Sequence, residues 1–182
     1  MNKFPRLETS RCILRKMNIN DAQEMYEYAS DDDVIKYLSF PKHDSVEQTR
    51  EVISKYFMSK YEEGNSYDFG VELKETHKLI GSCGFNEIKN SQAILGYVLN
   101  KKYWNQGIMT ELVKEVIRFG FEDLKLDKIT AYHYDGNDKS GKVMQKCNMD
   151  YVGFEEREGR HNGTLKEIPI HEYEITKAKY LK

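Results

Sequence analysis

Cysteine, proline and charge of one sign are all scarce in this chain. Its three cysteines, Cys12, Cys83 and Cys147, are an odd number at wide spacing with no C-x-x-C pair and no adjacent histidine, which argues against a disulfide framework or a zinc site. All three read as buried apolar residues. Only three prolines (Pro5, Pro41 and Pro169) interrupt the chain, and it has no internal repeat or low-complexity linker. Lysine and arginine number 28 against 30 aspartate and glutamate, so the net charge of -2 offers no one-signed field for nucleic acid or an anionic membrane. No apolar run approaches the roughly 18 residues of a membrane helix, and the start MNKFPRLETSRCILRK lacks the apolar core of a signal peptide. The expectation is a cytoplasmic protein whose 182 residues form one domain, 1–182, with 39% apolar content to close its core.

What is present is periodicity. Leu7 to Lys16 reads as a strand, and Asn18 or Asn20 caps a helix that runs to about Ser30, where the acidic run Asp31 to Asp33 ends it. Ser45 followed by Gln48 has the form of a capping box, and Val46, Val52, Ile53, Tyr56, Phe57 and Tyr61 recur at helical spacing up to Gly64. Three extended segments follow, Tyr67 to Leu73, Leu79 to Ile88 and Ala93 to Leu99, separated by polar turns. From Ile108 the period becomes helical again, with Met109, Leu112, Val113, Val116, Ile117 and Phe121 on one face. Ile129 to Tyr134 is a further strand and Asp138 to Lys146 a short helix. Tyr151 to Glu155 and Leu165 to Ile175 close the chain as a hairpin about Asn162-Gly163, a pair suited to a tight turn. This order specifies an α/β or α+β fold with a mixed sheet.

The stretch YWNQGIMTE, residues 103–111, lies where a strand gives way to the long helix. The first N–H groups of a helix have no intrahelical acceptor and concentrate positive potential, so such a junction suits a phosphate, and Gly107 would let the backbone approach it closely. The plainer alternative is that the glycine eases a turn while Asn105 caps the helix. Neither rival phosphate motif fits. A Walker loop needs a second glycine and a lysine that are missing, and a dinucleotide fingerprint needs three glycines where this stretch has one.

Four features occur in fixed order: a strand ending GYVL (Gly96 to Leu99), the loop WNQGIMTE (Trp104 to Glu111), the amphipathic helix, and NDKSGKVMQKCNMDYVG (Asn137 to Gly153). Together they resemble the GNAT superfamily of acyl-CoA N-acyltransferases and, within it, the ribosomal-protein N-terminal acetyltransferases RimJ and RimL. The likeness extends to the opening LETSRCILRKMNINDAQEMYEY and to LIGSCGF, and so spans nearly the whole chain. It implies a mixed, mostly antiparallel twisted sheet of six or seven strands flanked by about four helices, with acetyl-CoA as co-substrate, no metal, and an amine acceptor. That acceptor would be a protein N-terminus or a small molecule, and a homodimer is compatible with the resemblance.

Residue by residue, the resemblance implies that backbone N–H groups of Asn105, Gln106, Gly107, Ile108, Met109 and Thr110 hold the pyrophosphate, with Trp104 at the first position of the signature. Asn105 replaces a glycine of the group's pattern, and Met109 stands where the superfamily has a small residue. Tyr97, Val98 and Leu99 would bind the pantetheine arm through their backbone. Asn137 and Ser140 match N-x-x-S beside the thiol, with Ser140 a candidate proton donor to the departing thiolate. Asn148 stands where glycine would end the following helix. Glu87 is a candidate base, as are Glu155, Glu156, Glu158 and His133. Glu111 is expected to face away from the phosphates and serve the helix dipole. Cys147 has no histidine near it in sequence, consistent with direct transfer and no covalent enzyme intermediate. The acceptor would be set by the segment Tyr37 to Asp44 and the hairpin tip Gly159 to Gly163. The alternative function is a CoA-binding sensor or assembly module without transfer.

Overall fold

In the computed structural model, residues 4–64 and 66–182 are described; residues 1–3, part of the stretch inspected for a leader, lie outside. Eight strands form one sheet in the order β1-β2-β3-β4-β5-β6-β8-β7. The strands are β1 (Leu7–Glu8), β2 (Cys12–Arg15), β3 (Tyr67–Leu73), β4 (Lys78–Lys89), β5 (Gln92–Leu99), β6 (Lys128–Tyr134), β7 (Asp150–His161) and β8 (Thr164–Thr176). Every pairing is antiparallel except β5 with β6, which is parallel. Eight strands replace the six or seven expected, because Leu7 to Lys16 is a hairpin and not one strand. Its turn is closed locally: Thr9 N–H donates to Cys12 O at 2.9 Å, and Cys12 N–H donates to Thr9 Oγ1 at 3.0 Å.

The helices are α1 (Ala22–Ala29), α2 (Asp32–Ile35), α3 (Val46–Val52), α4 (Ser59–Glu63), α5 (Ile108–Glu122), α6 (Asp138–Lys146) and α7 (Lys177–Tyr180). The acidic run does more than end α1, since the Asp31 carboxylate accepts from Asp33 N–H at 2.9 Å and starts α2. Ser45 caps α3 by accepting from Gln48 N–H at 3.1 Å, but the Gln48 side chain reaches one residue further back and accepts from Asp44 N–H at 2.6 Å. A π-helical segment, Ile53–Met58, joins α3 to α4, and Gly64 ends the run at φ 74°. Asn148 supplies the left-handed residue after α6 at φ 62°. The bonds from Asn148 N to Gln145 O (3.0 Å) and Met149 N to Met144 O (3.1 Å) are those of a Schellman ending.

Side chains alternate across the sheet and feed two cores. Phe69, Val71, Cys83, Phe85 and Leu95 pack with the apolar stripe of α5 on one side, while Met25, Tyr28, Ile53 and Phe57 pack against Leu79 on the other. Helix α5 is tied to the β1–β2 turn at its first residues. Glu111 accepts from Ser10 Oγ (2.9 Å), Arg11 N–H (3.0 Å) and Arg11 Nε (2.8 Å), so it faces the hairpin and not the junction where phosphate would lie.

Burial alone would raise the Glu111 carboxyl, but hydrogen bonds from Thr9, Arg11 and Ser10 outweigh it and hold the group at about 2. A depressed acid contributes stability above its ordinary value of 4.5 and loses it as pH falls through about 2. Glu111→Gln is therefore expected to cost about 1–3 kcal/mol at pH 7. Urea titrations across pH should show the gap to the native protein narrowing below pH 4.5.

Candidate active site

The parallel pair β5 and β6 is in register only at Gln92↔Lys128, Ala93↔Ile129 and Ile94↔Thr130. Beyond Ile94 the two strands separate, and the second half of β5 presents a free backbone edge to the crevice between them. At the top of that crevice the chain passes through Trp104, whose Nε1–H donates to Leu99 O at 2.7 Å and fixes the loop to the strand end. Asn105 then takes a left-handed conformation at φ 60°, and Gly107 another at φ 75°, where it serves as the N-cap of α5 with no side-chain bond to the helix. The plainer alternative, in which Asn105 caps the helix, does not occur. The first turn of α5 is left with free N–H groups, and a Cβ at Gly107 would meet only Arg11 Nη2, at 3.7 Å.

A cleft of about 400 Å³ runs from this loop along β5 to α6. Tyr97 to Leu99, Trp104, Asn105, Gly107 to Thr110, Asn137 and Ser140 all line it, so the residues named for the cofactor come together with the exception of Gln106. The Gln106 side chain turns back to donate to Lys102 O at 3.0 Å. Met109 does not crowd the loop with its bulk, since its side chain is buried in the core under α5. Three lysines of α6, Lys139, Lys142 and Lys146, also line the cleft and suit it to an anion. They were missed above, although their spacing of three and four residues is a helical stripe that the sequence displays.

A second cavity, of about 650 Å³, lies on the α1–α3 side of the sheet. Its walls include Tyr37, Phe40, Tyr56, Phe57, Tyr132 and Tyr134, with Tyr56 and Phe57 presented by the π-helical segment. The two spaces share Leu38, Tyr97, Val98, Asn137 and Ser140. At that junction the Tyr97 hydroxyl bonds Ser140 Oγ at 2.9 Å and Ser140 O at 3.0 Å, and burial holds the phenol well above its ordinary range. The β7–β8 turn reaches across the mouth of the cavity. Asn162 N–H donates to Leu38 O (3.1 Å), Gly163 N–H to Ser39 O (2.9 Å), and His161 Nε2 lies 2.7 Å from Lys36 O. The two segments expected to set the acceptor are therefore bonded to each other.

Two histidines and a carboxylate are among the groups that line this cavity from buried positions. His43 Nδ1 lies 2.8 Å from Thr49 Oγ1, and Thr49 donates its own proton to Ser45 O, so His43 carries its proton on Nδ1 and leaves Nε2 as an acceptor. His133 Nδ1 donates to Tyr134 O at 3.0 Å. Burial lowers both imidazoles below their ordinary value, and both are neutral at pH 7. The third is Asp68 on β3, which burial pushes up to about 7 against the opposing pull of Lys60.

Glu87 is not brought into the site. Asn86, at a bulge in β4 between Phe85 and Glu87, takes the cavity wall, and Glu87, although paired with the cavity-lining Ile94, is exposed beyond it. Glu155, Glu156 and Glu158 are likewise exposed along β7. Cys147 is buried, its thiol pushed up to about 11 by that burial, which makes it a poor nucleophile.

Asp68 carries a stability consequence. Its raised value means that the folded state favours the neutral acid, so its contribution is present below 3.8 and is lost as pH rises through about 7. Asp68→Asn should melt at a higher temperature than the native protein at pH 8.5, with the difference shrinking at pH 5.5 in calorimetric scans.

Comparison with known proteins agrees with this geometry. The model of the acetyltransferase (GNAT) domain family matches residues 11–150. The uncharacterized N-acetyltransferase p20 of Bacillus licheniformis is 32% identical over 176 residues, covering 96% of this chain and 97% of that protein. A spermidine N-acetyltransferase of Vibrio cholerae, solved with CoA and spermine, superimposes with a TM-score of 0.78 at 20% identity over 95% of this chain and 99% of that one. RimL, a ribosomal L7/L12 alpha-N-protein acetyltransferase solved with coenzyme A, gives the same TM-score of 0.78 at 16% identity over 92% of this chain and 97% of that one. Equal likeness to an enzyme named for a small amine and one named for a protein leaves the acceptor to be read from the cavity itself. On the strength of a family match over most of its length, the chain belongs to the GNAT acetyltransferases.

Proposed function

We propose that this protein transfers the acetyl group of acetyl-CoA directly to the amine of a small-molecule acceptor. The observation that carries the proposal is the junction of the two spaces at Tyr97, Val98, Asn137 and Ser140. A donor lying along β5 and an acceptor filling the aromatic cavity would meet there and nowhere else along the cleft.

Each part of the donor has a matching group. The pyrophosphate suits the uncapped N-terminus of α5, with Lys139, Lys142 and Lys146 supplying positive charge nearby. The pantetheine amides suit the free edge of β5 as an added strand would. The oxyanion that forms as the amine attacks is within the province of a backbone N–H near Val98, a preorganised dipole that needs no rearrangement. Ser140 is the proton donor to the departing thiolate, the hydrogen bond it shares with Tyr97 holds its hydroxyl in place, and the proton shed by the attacking nitrogen replaces the one it gives up.

The bonded loop and hairpin favour a small acceptor. A protein N-terminus would have to pass between Leu38 or Ser39 and the Asn162-Gly163 turn, whose backbones are hydrogen-bonded to each other. A sensor without transfer activity gains nothing from the two departures in the loop, since Asn105 adopts the left-handed backbone of the glycine it replaces and Met109 is absorbed by the core.

Acetyl-CoA at a hundredfold excess over its dissociation constant should stabilise the fold by about 2.7 kcal/mol, visible as a rise in melting temperature. No shift at millimolar acetyl-CoA would end the proposal. In a free-thiol assay, Ser140→Ala should lower kcat by roughly ten- to a hundredfold while leaving the KM for acetyl-CoA within a few fold. An unchanged kcat would remove Ser140 from the mechanism.

A further inference from the structure

The acceptor cavity contains a group of buried oxygens that the transfer chemistry leaves unused. Tyr28 of α1 is fully buried, and its hydroxyl has no hydrogen-bond partner among the described residues. Asp68 of β3 is 6% exposed and Ser82 of β4 is 7% exposed, and neither side chain makes a hydrogen bond among those residues. All three line the same cavity. Burying a carboxylate without a partner costs several kcal/mol, so Asp68 detracts from the fold at neutral pH and receives no compensation from the protein's own donors. The one cation whose charge it feels, Lys60, is bonded to Tyr56 Oη at 3.0 Å and Asn86 O at 3.4 Å.

The sheet beside Asp68 carries a short row of glycines. In register, Asp68 pairs with Gly84 of β4, which pairs with Gly96 of β5, so neither residue between the carboxylate and the splayed strand has a side chain of its own. Over Gly96 the Asn86 side chain takes the space, since a Cβ there would lie 2.3 Å from Asn86 Nδ2. Two strand spacings of about 4.8 Å separate β3 from β5, so Asp68 sits roughly 10 Å from the strand at which transfer occurs. It is too far to touch the nitrogen being acetylated, and a slender arm passing the Asn86 amide beside the glycine row would bring a second group to it.

We infer that Asp68, Tyr28 and Ser82 form a subsite for a second ammonium group of the acceptor, making the substrate class a diamine with its free cation held in this oxygen cluster. The inference rests on the transferase reading of the same cavity and adds the acceptor's chemistry to it. An ammonium has three N–H donors and a positive charge, which match two neutral oxygen acceptors and a carboxylate. At about 1.5 Å per C–C bond, a spacer of roughly four to six carbons spans the row.

The experiment uses the full chain with acetyl-CoA and pairs each linear diamine of three to six carbons with the monoamine of equal length. In a free-thiol assay the best diamine should exceed its monoamine in kcat/KM by roughly ten- to a hundredfold, the range of a charge-assisted buried hydrogen bond. Asp68→Asn should bring that ratio to about one, chiefly through KM, and Tyr28→Phe should lower it part of the way. Equal use of diamine and monoamine by the native protein, or a ratio unmoved by Asp68→Asn, overturns the subsite. Calorimetry of the same amines on the CoA-loaded protein reads the subsite without turnover. Diamine-selective binding that depends on Asp68, with no thiol released, would overturn the transfer reaction and leave the subsite standing; thiol release without diamine selectivity would do the reverse.

Discussion

Everything chemical in this fold depends on two strands that stop bonding to each other. The parallel pair of β5 and β6 holds for three residues and then opens, which leaves the edge of β5 unpaired in the middle of an eight-stranded sheet. An unpaired strand edge inside a protein is costly unless something else bonds to it. The same separation lets the cleft beside α5 and α6 communicate with the cavity on the α1–α3 side, so two spaces on opposite faces of one sheet have a common point at Tyr97, Val98, Asn137 and Ser140.

The elements around the splay each hold it open in a different way. Trp104 anchors the loop to the last carbonyl of β5, and Glu111 ties the first turn of α5 to the β1–β2 hairpin, so the uncapped helix end is held rigidly without being filled. Tyr97 links β5 to α6 through Ser140, which sets the width of the crevice at its narrow end. On the other face the long β7–β8 hairpin and the segment after α2 bond to each other across part of the larger cavity. Burial along its walls lowers the local dielectric, and the consequence is visible in the lowered His43 and His133 and in the raised Asp68.

Much of the framework was legible in sequence because it rests on local rules. The stripe of α5 from Met109 to Phe121, the strands β3 to β6 and the Asn162-Gly163 turn all follow from period and turn chemistry, and each is found where expected. The β1–β2 hairpin was hidden because Thr9 and Cys12 close it with bonds that resemble nothing in a hydrophobic pattern. Among the candidate site residues, the loop from Trp104 to Thr110 and the pair Asn137 and Ser140 could be named in advance because each belongs to a short contiguous motif, and all but Gln106 line one cleft. Glu87 misled because a one-residue bulge at Asn86 breaks the alternation there, and the period alone does not show that Asn86 takes the cavity wall while Glu87 lies exposed beyond it.

The sequence by itself determined the alternation of elements, the left-handed positions at Asn105, Gly107 and Asn148, and the uncapped end of α5. All of these are governed by interactions among neighbours in the chain. Tertiary structure alone decided what converges on the larger cavity. Asp68, Tyr28 and Ser82 come from three elements far apart in sequence, and each looks ordinary in its own segment. The glycine row beside Asp68 exists only through the register of three strands, and the contact across part of the cavity exists only through hydrogen bonds between segments some 120 residues apart, as from Lys36 to His161. Registers and long-range contacts are set by the packing of the whole sheet, which no local pattern encodes.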